Sequence, residues 1–209
     1  YIKETLDILM LQTLKNIEIV CVNDCSMDNS LSILEEYKNK DSRIKIISND
    51  ENKGAGYSRN IGLNEVKGEY ISFIDSDDKI DLNTYEKLYN FSKAKQDVII
   101  FNMVRLDNKG NISESELHLK SIKRTEENTN LLKNKDLVYD TTAGNKFIKT
   151  SFLKENNMLL DSFLIYSTLP RFIFLPVSGN GYIRYRTLTL PRSIILPVSV
   201  LHCNQPTLA

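Results

Sequence analysis

Long apolar runs are missing from this sequence: none reaches the ~18 residues that a spanning helix needs, and no signal-peptide pattern opens it. Cysteine is scarce. Cys21, Cys25 and Cys203 are odd in number, and no second Cys or His pair stands at zinc spacing. They read as reduced thiols of a cytosolic protein, not as a disulfide or metal framework. Charge of either sign in excess is absent too. The formal net charge is zero and the pI near 6.9, which gives no electrostatic capture of nucleic acid. An initiator Met is lacking, and Tyr1 already lies within a helical pattern, so the expectation is a fragment whose preceding segment is missing.

Two further absences divide the chain. No proline occurs before Pro170; all 5 (Pro170, Pro176, Pro191, Pro197 and Pro206) lie beyond residue 161. Conversely, all 27 acidic residues lie at or before Asp161, and the only charged residues after it are Arg171, Arg184, Arg186 and Arg192. The first part is thus net acidic and the tail net basic. Such a switch marks a boundary. The 209 residues suffice for one core of ordinary size. The expected division is a binding half over 1–106, the start of a second half over 107–161, and an anomalous tail over 162–209. The tail's prolines interrupt Phe172–Leu175 and Ile194–Leu196, which disfavours central strands and predicts exposed, aggregation-prone runs.

Residues 1–161 alternate helices and strands. Ile2, Leu6, Leu9, Met10 and Thr13 share a helical face, and 17–22 is an apolar strand. Asp28 then caps a helix with Leu31, Leu34 and Tyr37 inward. A strand over 43–48, a small-residue helix over 54–66 and a strand over 70–74 follow. Next come a helix burying Tyr85, Leu88, Tyr89 and Ser92, and a strand over 97–101. Strand starts recur about every 26 residues, the spacing of βαβ units. The reading is α/β with a parallel sheet. Beyond it, a turn is expected at 107–110, a solvated stretch over 114–136, a strand over 143–148 and a short helix over 151–157.

Two strand ends carry polar clusters: Asn23-Asp24 after one, and Asp75-Ser76-Asp77-Asp78 after another. Parallel strands present their carboxyl ends on one edge, where open α/β sheets bind ligands. Three carboxylates in four positions repel unless a cation joins them. A divalent metal shared with substrate phosphates would satisfy them. An acidic turn capping the next helix, with Asp81 and Asn83 as N-cap candidates, accounts for the same residues.

Four segments in order settle the comparison. They are Gln12-Thr13 with 19–30 (Ile-Val-Cys-Val-Asn-Asp-Cys-Ser-Met-Asp-Asn-Ser), Asn52-Lys53-Gly54, Ser58-Arg59-Asn60-Ile61-Gly62, and 68–78 (Gly-Glu-Tyr-Ile-Ser-Phe-Ile-Asp-Ser-Asp-Asp). Over roughly 1–160 the chain resembles the inverting glycosyltransferases of family 2, nucleotide-sugar enzymes with the GT-A fold. The resemblance implies a Rossmann-like, mostly parallel sheet flanked by helices, here incomplete at both ends. It makes Asp24 the residue that accepts a hydrogen bond from the nucleotide base, with Asn23 beside it where Asp is common. Asp75 would touch ribose or metal, and Asp77 would bind Mn²⁺ or Mg²⁺ on the diphosphate. Arg59 and Lys53 are placed to approach that diphosphate, although either also reads as a surface charge. The implied donor is a nucleotide-diphospho-sugar, with uridine diphosphate (UDP) expected as the nucleotide. The acceptor would be a glycan or a lipid-linked glycan of cell-surface polysaccharide synthesis. The implied setting is the cytoplasm, including the inner face of the membrane by peripheral association.

Three departures accompany the resemblance. The family's first strand would precede Tyr1. Cys25 replaces the usual Gly after the acidic pair, a strain if φ is positive there. No catalytic base is identified: Ile165 to Phe172 has Ser167-Thr168 where a Glu-Asp pair would stand, and Asp161 is the only acid nearby. An active transferase is one expectation. A non-catalytic nucleotide-binding remnant, either a pseudoenzyme or a reading frame broken near Asp161, is the other.

Overall fold

The computed structural model describes residues 1–92, 96–107, 109–114, 133, 135–136 and 142–158, and the backbone of 126–129, 172–175, 183–186 and 194–200. In chain order its elements are α1 (Ile2–Met10), β1 (Ile17–Asn23), α2 (Ser30–Lys40), β2 (Ile44–Ser48) and α3 (Ala55–Glu65). There follow β3 (Tyr70–Asp75), α4 (Thr84–Ser92), β4 (Val98–Phe101), β5 (Met103–Leu106), β6 (Ile112–Glu114) and β7 (Glu126–Thr129). The last are β8 (Lys146–Lys149), α5 (Thr150–Glu155), β9 (Phe172–Leu175), β10 (Ile183–Arg186) and β11 (Ile194–Val200).

An eight-stranded sheet runs in the order β2-β1-β11-β3-β8-β4-β9-β7. β1, β2, β3, β4 and β9 point one way, while β7, β8 and β11 point the other. Side-chain alternation sorts its two faces. Ile17, Ile19, Cys21, Tyr70, Ile74, Ile99 and Phe101 pack with Leu6 and Leu9 of α1, Leu34 of α2 and Leu88 of α4. Val20, Val22, Ile71, Phe73, Val98 and Ile100 pack with Leu63 of α3 and Leu153 of α5. Strands apolar on both faces belong inside a layered α/β protein. Tyr70 stacks on Phe147 with ring centroids 4.8 Å apart, joining β3 to β8. A smaller sheet, β10-β5-β6, contains the hairpin expected at 107–110, whose Asp107 carboxylate accepts the N–H groups of Lys109 and Asn111.

The structure departs from the sequence reading in three places. Leu31 is 37% exposed, so α2 buries Leu34 and Tyr37 without it. Asn29, not Asp28, is the residue before α2; Asp28 Oδ1 instead accepts the N–H of Ser30 at 2.9 Å. The third departure concerns the tail. β9 lies parallel to β4, and β11 lies antiparallel between β1 and β3 with Pro197 opposite Phe73. Proline lacks the N–H that a central strand donates. The ladder with β1 accordingly skips: it pairs Ile19 with Val198 and Val22 with Ile195, and nothing between. The complete ladder with β3 lets the proline sit inside the sheet. Residues 162–171, the other segments between the tail strands, and most of the 114–136 stretch lie outside the described residues.

At the edge opposite the carboxyl ends, a buried acid inside β1 holds two connections. Glu18 Oε1 accepts the backbone N–H groups of Lys67 and Gly68 at 2.5 and 2.9 Å, and Oε2 pairs with Lys45 Nζ at 2.8 Å. Apolar patterning conceals such a residue, since its neighbours are all core. Glu18→Ala should lower stability by about 2–3 kcal/mol, because it orphans backbone donors. Lys45→Ala, which removes a half-exposed amine, should cost under about 1 kcal/mol. Urea titration of the two variants checks the order.

Candidate functional site

β1 and β3 are both antiparallel to β11, so their carboxyl ends share one edge. Asn23 pairs with Ile194 and Asp75 with the next residue, Ile195. One strand separates the two acidic segments, a gap of roughly 10 Å at ordinary strand spacing.

Asp24, only 1% exposed, is fastened from three sides. Its Oδ1 accepts from Asn49 Nδ2 at 2.8 Å and from the N–H of Lys53 at 2.9 Å; its Oδ2 accepts the N–H of Gly54 at 2.7 Å. Asn52 Nδ2 donates to its carbonyl at 3.2 Å. Burial alone would raise the Asp24 pKa. The hydrogen bonds from Lys53, Asn49, Gly54 and Ser58 outweigh it and hold the group below the ordinary carboxylate range. Gly54 sits at φ +86° as the residue before α3, a conformation that only glycine adopts freely. The observed work of Asp24 is therefore to pin the 52–54 turn and the start of α3 to the end of β1.

Beside it, Asn23 Oδ1 accepts both the N–H and the hydroxyl of Ser26, at 3.1 and 2.5 Å. This closes the tight turn that carries Cys25 at φ 56°. The strain expected from a non-glycine residue there is present.

α3 joins the two strand ends. Asn49 Nδ2 also reaches Ser58 Oγ at 3.1 Å, and the next residue, Arg59, places Nη2 3.0 Å from Asp75 Oδ1. Both partners are largely buried, and Arg59 Nε is buried without a hydrogen-bond partner. Lys53 belongs to the site through its backbone alone. Its amine points instead to Glu51, 3.3 Å away, and over the Tyr57 ring.

Asp77 is half-buried in the turn after β3, with its Oδ1 out of solvent. That turn closes by the Asp78 N–H donating to the Asp75 carbonyl at 3.0 Å. Thr5 Oγ1 of α1 lies 2.9 Å from both the Ser76 and Asp78 carbonyls. Gln12, fully buried, donates to the Asp81 carbonyl at 3.0 Å and accepts from the Tyr85 N–H. Sequence reasoning marked Gln12-Thr13 but gave it no task; it fixes the loop between the acidic turn and α4. Thr5, Asn49 and Ser58 went unassigned, because a short polar residue within an amphipathic pattern gives no sign of what it reaches across the fold.

Among the described residues no three His, Cys, Asp or Glu side chains gather into a cage. Hard carboxylate oxygens at Asp75 and Asp77 fit Mg²⁺ or Mn²⁺ in the mode where substrate phosphates complete the coordination.

Two outcomes follow from this geometry. Cys25→Gly should raise stability by roughly 0.5–1 kcal/mol, since it removes a left-handed strain that glycine does not feel. Denaturant titration reads it. Asp24→Asn should cost about 2–3 kcal/mol at pH 7. Because the folded pKa of Asp24 lies below its unfolded value near ~3.9, its contribution is present above that value. The contribution is lost as pH falls through the folded pKa. The gap between wild type and variant should therefore narrow at pH 3.

The family model for Glycosyl transferase family 2 matches residues 1–155. The poly(ribitol-phosphate) β-glucosyltransferase of Bacillus spizizenii is 37% identical over 160 residues, covering 75% of this chain and 24% of that protein. The structure of S. aureus TarS 1–349 in complex with UDP-GlcNAc superposes with a TM-score of 0.72 at 26% identity, over 92% of this chain and 56% of that one. GalNAc-T7 with UDP, GalNAc and Mn²⁺ shares the fold at a TM-score of 0.60 and 17% identity, covering 88% of this chain and 40% of that one. The chain spans a quarter to about a third of the length of curated relatives it matches, 24%, 29% and 36% for three of them. The chain belongs to glycosyltransferase family 2 and has the GT-A fold.

Proposed function

We propose that the edge formed by β1, β3 and α3 binds a UDP-sugar, and that the protein to which these residues belong transfers the sugar to a polymer or lipid-linked acceptor of the cell envelope. The observation that carries this reading is the line of contacts Asp24–Asn49–Ser58 followed by Arg59–Asp75, which unites the two polar segments at one sheet edge. UDP-GlcNAc bound to TarS and the polyol-phosphate acceptor named for the Bacillus relative support donor and acceptor class.

In an inverting transfer the acceptor oxygen attacks the sugar's anomeric carbon as its bond to the diphosphate breaks. The leaving diphosphate gains charge, and the acceptor hydroxyl loses its proton to a base. Mn²⁺ or Mg²⁺ held by Asp75 and Asp77 would supply a Lewis acid for the diphosphate oxygens. Arg59 keeps Asp75 oriented and brings a positive charge to the edge where the diphosphate would lie. Asp24 acts on the nucleotide through the turn that it holds, with Asn23 shaping the other wall. The base is unassigned, and Asp161 with Ser167-Thr168 lies outside the described residues. Among the described residues no helix is long and apolar enough to cross a membrane. The reading places the work at the cytoplasmic face, where an envelope acceptor is within reach.

A second reading has one specific observation behind it. The 162–209 tail contains no carboxylate, so it cannot supply a carboxylate base, and loss of such a group typically costs ~10²–10⁴-fold in rate. On that reading this chain binds nucleotide without transferring sugar. Calorimetry with UDP and Mn²⁺ tests the shared part. Binding should require the metal, Asp77→Asn should remove the metal dependence, and Arg59→Ala should weaken affinity about tenfold, near 1.4 kcal/mol. Equal affinity in excess chelator would refute the role of Asp77. Release of free sugar from UDP-GlcNAc by the purified chain would reject the non-catalytic reading.

A further inference from the structure

One position on the inward face of α1 breaks its apolar pattern. Ile2, Leu6 and Leu9 are buried there, and so is Thr5, at 1% exposure. A β-branched hydroxyl residue is a poor choice for a helix interior, and a buried hydroxyl costs free energy unless it is bonded. The bonds of Thr5 Oγ1 reach across the fold. It lies 2.9 Å from the Ser76 carbonyl and 2.9 Å from the Asp78 carbonyl, 71 and 73 residues away in sequence.

Those two carbonyls belong to the residues on either side of Asp77. A hydroxyl has one proton to donate, so both carbonyls are held toward α1 by a single shared group. The turn is closed along its own chain as well, where the Asp78 N–H donates to the Asp75 carbonyl at 3.0 Å. α1 continues its hold further on. Gln12, two helical turns beyond Thr5, donates to the Asp81 carbonyl at 3.0 Å and accepts the Tyr85 N–H at 3.4 Å. The Thr13 N–H donates to the Leu82 carbonyl at 2.8 Å. Bonds to main-chain groups set the path of the acidic turn without drawing on its carboxylates.

We infer that Thr5 is a positioning residue for Asp77: through the carbonyls on either side of it, the Thr5 hydroxyl fixes where Asp77 stands relative to Asp75. The inference rests on the reading of Asp75 and Asp77 as the pair that holds Mn²⁺ or Mg²⁺ on the diphosphate. It deepens that reading by making α1 a support of the metal site that never touches the ligand. A small divalent ion tolerates little change in the spacing of its oxygen ligands. Removing a group that orients such ligands typically costs ~10–100-fold in metal affinity.

The measurement is the Mn²⁺ concentration that supports half-maximal UDP binding, read by calorimetry on the full chain. Thr5→Val keeps the side-chain shape without the hydroxyl and should raise that concentration about tenfold. Thr5→Ser restores the hydroxyl and should stay within about threefold of wild type. Glu18→Ala, which destabilises the opposite edge of the sheet, should leave the midpoint unchanged. If Thr5→Val does not fold, Thr5→Ala, with room for a water in place of the hydroxyl, should shift it at least about threefold. A shift below about twofold in whichever of these two variants is read overturns the positioning role. So does an equal shift in Thr5→Ser or in Glu18→Ala, since the loss would then follow side-chain size or general stability. Wild-type binding that needs no Mn²⁺, or no UDP binding at all, sinks the metal reading of Asp77 itself, and the inference falls with it.

Discussion

Everything at the carboxyl edge depends on compensating carboxylates that the fold forces together. Asp24, Asp75, Asp77 and Asp78 stand at the ends of two strands held one strand apart. Left in low dielectric without donors, they would repel and take up protons. The structure meets this in two different ways. Asp24 is neutralised by backbone N–H groups at the start of α3, which stabilise a negative charge without any counter-ion. Asp75 instead receives a guanidinium from the next turn of the same helix. One helix thus serves both strand ends across the strand that lies between them. That is why a short, small-residue helix stands here: Gly54 permits the sharp entry, and buried Ser58 and Gly62 let its backbone sit close to the sheet.

The α/β alternation and the positions and common direction of the first four helix-linked strands could be read from sequence, because runs such as Ile17–Val22 and Tyr70–Ile74 are apolar on both faces and end in polar turns. The clustering of Asn23, Asp24 and Asp75 followed from strand direction alone. What the sequence concealed was the direction of individual side chains. Lys53 and Arg59 looked alike as candidate cations. The helix turns Arg59 toward Asp75, whereas Lys53, still in the extended entry, spends its N–H on Asp24 and sends its amine to Glu51. Asp24 was expected to accept a hydrogen bond from a nucleotide base; what the sequence did not show is that its carboxylate also accepts from its own loop. Periodicity ranks positions as in or out and is silent on such pairings.

Glu18 and Lys146 make the same point from the opposite side. Each is charged, each is buried in a strand, and each would be scored as a break in an apolar pattern. Each instead organises a neighbouring turn: Glu18 collects the N–H groups that lead into β3, and Lys146 collects the carbonyl and amide that lead into β8. A buried charge is tolerated when several fixed dipoles converge on it, and a convergence of that kind is created by the fold, not by adjacent residues.

The tail shows how far pattern reasoning goes for proline. Pro197 argued against a central strand because it cannot donate, and the missing rungs opposite Val20 and Cys21 are the local cost of that defect. The argument failed as a prohibition because a strand has two edges, and the defect falls on one of them. The continuous ladder with Asp75 through Tyr70 supplies the other. β11 consequently occupies the place between β1 and β3, and the two acidic strand ends keep the spacing that α3 requires. The separation of Asn23 from Asp75 is then a property of whichever extended segment fills that place. A parallel strand in the same position would leave the interstrand distance nearly the same, since both kinds of pairing hold neighbours about 4.7–4.9 Å apart. The geometry of this edge therefore follows from β1, β3 and α3, and is insensitive to the direction of the strand between them.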